Sequence, residues 1–147
     1  MLTSRRLDIA DARCILQGAA NHCDVIGVPQ CTAVVDDAGV LIAFERLDGG
    51  KVSSVSIALD KAFTAAAARN TTAFYGDDGN PGSPTWRING TNGGRFSTIG
   101  GGIPVIVDGA VVGGIGVSSG TAAQDIEVAE AALAHFLVTT GHAAAAE

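Results

Sequence analysis

The chain has 147 residues, 47% of them apolar and 16% charged, with nine basic residues against fifteen acidic ones and a formal charge of −6. That length suits a single domain spanning residues 1–147, able to bury roughly two-thirds of its unfolded surface without disulfide staples. The acidic balance repels phosphate backbones and argues against nucleic acid as a partner. No apolar run reaches the ~18 residues of a membrane span, and no secretory pattern opens the chain, so a cytoplasmic location away from membranes is expected.

Apolar residues recur at spacings of three and four from Ala12 to Ile26 and predict a helix over Leu7 to Ile26, capped by Asp8 and stopped by Gly27. Cys31 to Asp36 and Val40 to Arg46 read as two strands joined by a turn at Asp37-Ala38-Gly39. A second helix runs from a cap at Ser53 or Ser54 to Ala68, with Val55, Leu59, Ala62, Phe63 and Ala66 on one stripe. Gly76 to Gly90 carries turn chemistry throughout and reads as an irregular loop, with the lone Trp86 as its anchor. Arg95 to Ile99, Ile103 to Val107 and Val111 to Ser118 give three further strands, the last two joined by Asp108-Gly109, a strong hairpin signal. Thr121 with Gln124 forms a capping box opening a final helix to Val138, and the Ala-rich tail from Ala143 to Ala146 is expected to fray. The expected order is therefore α-β-β-α-loop-β-β-β-α. This is an α/β (α+β) domain with a five-stranded, mostly antiparallel sheet flanked by helices.

The three cysteines, Cys14, Cys23 and Cys31, form no CxxC pair, and Cys23 falls on the apolar face of the first helix as a buried thiol. His22, His135 and His142 match no zinc-ligand spacing, so no metal site is expected. Lys61 interrupts an otherwise apolar helix in SIALDKAFTAAAA. It is either a snorkelling lysine at the edge of the apolar face or a desolvated one able to act as base or nucleophile. Arg46 and Asp48, where the second strand runs into its loop, form either a solvated rim or part of a pocket. The stretch TNGGRFSTIGGGIPV sets Gly93-Gly94 and Gly100-Gly101-Gly102 around a short segment. Five glycines there imply positive φ or close approach of another group. Asn92 and Arg95 flank the first pair; Arg95 suits a carboxylate, and the glycine amides suit an anion.

Three segments carry a family resemblance: GVPQCTAVVDDAGVLIAFERLDG, SIALDKAFTAAA, and NGTNGGRFSTIGGGIPVIVDGAVVGGIGVSSGTAAQDIEVAEAAL. Together they resemble the GlcG/HbpS-like family from about Leu7 to Leu133. The resemblance implies a profilin-like fold and a homo-oligomer, often an octamer. The latter agrees with a composition rich in Ala, Val and Gly, suited to interfaces that resemble core. Some members bind haem or are described as haem-degrading, a similar domain is fused to corrinoid adenosyltransferases, and others are encoded beside catabolic enzymes. Lys61 matches the family lysine. Asn92, Gly93, Gly94, Arg95, Gly100, Gly101, Gly102 and Pro104 match its glycine-rich wall, and Asp48 with Gly49 matches the loop after the second strand. No histidine falls in a matching motif, and Tyr75 to Trp86 departs from the family in length and composition.

Two functional readings follow. One is a homo-oligomeric protein binding a small molecule, with haem as a possible cofactor, through Arg46, Asn92, Gly93, Gly94, Gly100, Gly101 and Gly102. The other is a small catabolic enzyme of hydrolase, lyase or isomerase type acting on a carboxylated metabolite. There Lys61 is base or nucleophile, Arg95 holds the carboxylate, Asp48 completes the site, and the amides of Gly101 and Gly102 stabilise an oxyanion.

Overall fold

The molecule is described by a computed structural model over residues 1–142; the expected fraying of Ala143 to Ala146 lies outside the described residues. Its elements are α1 (Ile9–Ile26), β1 (Cys31–Asp36), β2 (Leu41–Arg46), α2 (Ser54–Ala68), α3 (Thr72–Asp78), β3 (Gly102–Val107), β4 (Ala110–Ser118) and α4 (Ala122–Thr140), with two single-turn 3₁₀ segments between α3 and β3. Local signals set the helix ends. Asp8 and Asp11 form a reciprocal capping box at α1, Thr121 and Gln124 do the same at α4, and Gly27 ends α1 at φ +68°. Ser53 occupies the N-cap of α2 but keeps helical dihedrals and makes no side-chain cap bond.

The four described strands form one antiparallel sheet in the order β2-β1-β4-β3. Asp36 Oδ1 accepts the amides of Ala38 and Val40 to shape the first hairpin turn. Asp108 and Gly109, at φ +49° and +76°, make the second.

The expected fifth strand, Arg95 to Ile99, does not form. Thr64 on α2 takes its place as the partner of that backbone: its hydroxyl accepts from the Ser97 amide at 2.9 Å and lies 3.3 Å from the Arg95 carbonyl, while its hydrogen serves chiefly the Asp60 carbonyl at 2.7 Å. The segment is thereby laid along a helix instead of a ladder. The expected irregular loop also differs, because its beginning belongs to α3, capped by Thr71 on the Phe74 amide. Seven residues containing Gly76, Asp77 and Asp78 are too few to show a helical period.

Alternation along β1 and β4 divides the core. Cys31, Ala33 and Val35 pack on Ala58, Ala62 and Ala66 of α2. Val34, Ile115 and Val117 point to the opposite face, where Ile15 and Ala19 of α1 and Val128, Ala129 and Ala132 of α4 cover them. Beneath α2, β4 presents Gly114 and Gly116. A Cβ on Gly114 would lie 2.6 Å from the Ala62 carbonyl oxygen, and one on Gly116 would collide with backbone of Ala58 and Ala62. Alanine on the helix and glycine on the strand thus bring two backbones together. On the other side, a Cβ on Gly18 would sit 2.6 Å from His135 Cβ, which draws α1 and α4 close. Ahead of α1, Leu7 is buried and donates its amide to the Val112 carbonyl. Arg5 bonds Asp108 at 2.9 Å, and Arg6 Nε lies 3.2 Å from Asp37, so this segment ties the turns of both hairpins.

Substituting Gly116→Ala forces a methyl group into α2 backbone that cannot swing aside. It should destabilise the protein by about 1–3 kcal/mol, read as a lower urea midpoint at unchanged slope.

Candidate functional site

The residues singled out in the sequence separate into three places. The first is interior. Lys61 is 1% exposed, and its ammonium donates to Asp125 Oδ2 at 2.7 Å and to the Val117 carbonyl at 2.9 Å. Asp125, in the first turn of α4, accepts the Gly120 amide on its other oxygen. Burial pushes the Lys61 ammonium below the usual lysine range, while Asp125 draws it back up. The triple glycine closes over this pair. A Cβ on Gly101 would lie 2.8 Å from Asp125 Cβ and 3.0 Å from Lys61 Nζ; one on Gly100 would meet Ile126, and one on Gly102 the Lys61 carbonyl. Gly101 is also held at φ +123°. The Gly102 amide donates to Thr72 Oγ1 at 2.9 Å, so it is already engaged and does not face an oxyanion. Gly100, Gly101 and Gly102 therefore serve close packing, and Lys61 snorkels nowhere: both its bonds run inward. The enzyme reading with Lys61 as base or nucleophile draws no support from this placement.

The second place is a surface groove on the outer side of α2. Arg95 lies with its guanidinium 3.9 Å from the centroid of Phe63, a cation on an aromatic face. Its Nε is 3.7 Å from Asp60 Oδ1, close enough for attraction and too far for a hydrogen bond. Burial pushes the Asp60 carboxyl up from the usual range, and Arg95 pulls it back. One cleft of 210 Å³ here is lined by Ile57, Asp60, Asn89, Gly94, Arg95 and Phe96 among others. A second, of 260 Å³, lies between Arg95, Leu59 and the first hairpin. A third, also of 260 Å³, adjoins the first through Asn89 and Thr98 and reaches Tyr75, Trp86 and Arg87. Asn92, Gly93 and Gly94 all take positive φ, and a Cβ at Gly93 or Gly94 would meet nothing within 4 Å. Conformation, not close approach, requires those two glycines. The amides of Gly94 and Arg95 donate to the Thr91 and Asn92 carbonyls, so they are committed to the turn and unavailable as an anion nest. Trp86, expected as a loop anchor, is 52% exposed.

The third place is the exit of β2. Asp48 lines a cleft of 430 Å³ with Cys23, Asp24, Gly27, Pro29 and Leu47. Arg46 donates to the Gly50 carbonyl at 3.4 Å. Neither residue is among those lining the clefts around Arg95. Burial raises the Cys23 thiol to about 11, which suits a packed, protonated side chain. His22 bonds Glu127 at 2.8 Å, and none of the three histidines lines any of these four clefts. No group of three or more His, Cys, Asp or Glu among the described residues is placed to hold a metal ion, and no helix there is long and apolar enough to cross a membrane.

Asp60 and Asp125 escape the sequence reading, and Phe63 enters it only as a member of the apolar stripe of the second helix. Asp125 carried a usable signal: it falls three, four and seven positions before Val128, Ala129 and Ala132, on the buried stripe of α4. An acid at a core position calls for a buried cation.

Comparison with known proteins places this architecture. The family model described as haem degrading protein HbpS-like matches residues 7–134. An uncharacterised 15.0 kDa protein from the dhaT-dhaS intergenic region of Citrobacter freundii is 38% identical over 130 residues, covering 88% of this chain and 92% of that protein. The crystal structure of protein ORFY of Klebsiella pneumoniae superposes with a TM-score of 0.90 at 32% identity, covering 92% of this chain and 94% of the other. The crystal structure of a PduOC–haem complex superposes at 0.85 with 28% identity, covering 88% and 94%.

The interior pair can be tested without any ligand. Lys61→Met leaves a buried carboxylate unpaired and should cost about 3–5 kcal/mol of stability. Lys61→Met combined with Asp125→Leu should recover a large part of that loss, measured by urea unfolding of the two variants beside the parent.

Proposed function

The chain belongs to the HbpS-like family, and from that premise we propose that it is a homo-oligomeric small-molecule-binding protein whose groove beside Arg95 holds a carboxylated ligand. The observation that carries this reading is the state of Arg95. Its guanidinium lies over the Phe63 ring, 3.9 Å from the centroid, and, among the described residues, donates no hydrogen bond. A fork of donors held only by a long ion pair to Asp60 at 3.7 Å keeps bonds to offer, and suits a carboxylate, which it can meet with two parallel bonds.

Haem is the ligand that the family description and the PduOC complex bring forward. Its propionates fit Arg95, with Asn89 in the same lining. Its iron is served less well by one chain. Of the side-chain types that commonly ligate haem, the four clefts offer only Tyr75, packed edge-on between Phe74 and Phe96, and the protonated Cys23. The fit is thus to the acid groups of a tetrapyrrole before its metal.

Self-association is supported by the surface. Val40, Val52 and Phe74 are exposed in the single chain, and contact between copies would cover apolar side chains of this kind. An octamer is the assembly proposed.

Haemin titrated into micromolar protein should shift the Soret band, and Arg95→Gln should weaken the association by ~10-fold or more, the loss of a charge-assisted hydrogen bond. An unchanged spectrum would count against haem. Sedimentation velocity should show a single species near eight chains, and a monomer would refute the assembly.

A further inference from the structure

The cleft that holds Arg95 does not end there. It adjoins the cleft under α3 through Asn89 and Thr98, which line both. At 210 and 260 Å³, neither alone reaches the ~300 Å³ of an ordinary ligand pocket; together they do. The outer cleft has its own arginine. Arg87 sits with its guanidinium 5.5 Å from the centroid of Trp86 and, among the described residues, forms no ion pair or side-chain hydrogen bond. Its backbone is held at φ +68°, a conformation side-chain-bearing residues seldom adopt.

The nine basic residues make the comparison sharp. Arg5, Arg6 and Lys61 are spent on acids of the fold. Of all nine, only Arg87 and Arg95 line any of the four clefts, and they line two that join. Both rest on an aromatic ring, and Asp60, beyond hydrogen-bond reach of Arg95, is the one acid in the two linings. In a chain of net charge −6 this is a local reversal of sign. We infer that the joined groove takes a ligand with two acid groups, one held at Arg95 and the other at Arg87, with the body of the molecule crossing Asn89 and Thr98. The inference rests on the reading of Arg95 as a carboxylate anchor and adds a second anchor to it.

The test uses straight-chain dicarboxylates from succinate to suberate, each compared by calorimetry with the monocarboxylate of the same chain length. One dicarboxylate length should bind at least ~10-fold more tightly than its monocarboxylate. Arg87→Gln should erase that advantage, so that the dicarboxylate binds no more tightly than its monocarboxylate, while Arg95→Gln weakens the binding of both classes. Both arginines are exposed, and unchanged melting temperatures of the variants verify that the fold is kept. Equal binding of mono- and dicarboxylates at every length, or an Arg87→Gln variant that keeps the advantage, overturns the two-acid inference and leaves the Arg95 anchor standing. Absence of binding by any of these acids overturns both.

Discussion

A single buried ion pair, Lys61 with Asp125, ties the two faces of the sheet together. Lys61 belongs to the helix that covers one face and Asp125 to a helix that covers the other, and they meet at the last residues of β4, where Val117 offers its carbonyl. Much of the neighbouring sequence is constrained by that meeting. Gly101 must lack a side chain because Asp125 and Lys61 occupy its space, Gly102 because the Lys61 carbonyl does. Gly120 turns its amide to the free oxygen of Asp125, which fixes the entry to α4. Burying such charges is expensive unless each polar atom is answered, and the recorded bonds answer both: two donated by the ammonium and one accepted by each carboxylate oxygen.

With Lys61 turned inward, the outer side of α2 is left to other residues. Asp60 and Lys61 are adjacent in sequence and serve opposite sides of the helix, one beside Arg95 and the other beside Asp125. Thr64, one turn further, anchors the segment that carries Arg95, so the position of that arginine is set by the same helix whose inner face is locked to the sheet. The inner face thus holds the sheet, and the outer face carries the groove beside Arg95.

How much of this the sequence announced depends on the range of each interaction. Elements defined by their own residues were legible: the Thr121–Gln124 capping box, the Asp8 cap, Gly27, the Asp108-Gly109 turn, and the strand from Cys31 to Asp36. The failed fifth strand was not, because Arg95 to Ile99 has strand-like residues and the group that bonds its backbone, Thr64, lies some thirty positions away. Arg95 was recognised from its charge and its glycine neighbours, whereas Phe63 beneath it had been assigned to a core stripe. Lys61 stood out as a charge among alanines, but its partner lies 64 residues later, and no local spacing joins the two. The triple glycine was legible as a demand for room, and the structure identifies the occupant as the protein's own side chains.

The segment before α1 has a consequence for the order in which the chain assembles. Arg5 reaches Asp108 across 103 positions, and the Leu7 amide reaches Val112. Contacts of such separation form only after the loops between them have closed. Asp108 and Val112 do not exist as a surface until β3 and β4 have paired, and Asp37 must already sit in its own turn before Arg6 can approach it. Residues 5–7 thus dock on two hairpins that each close through their own local pairing, and they fasten the turns of both.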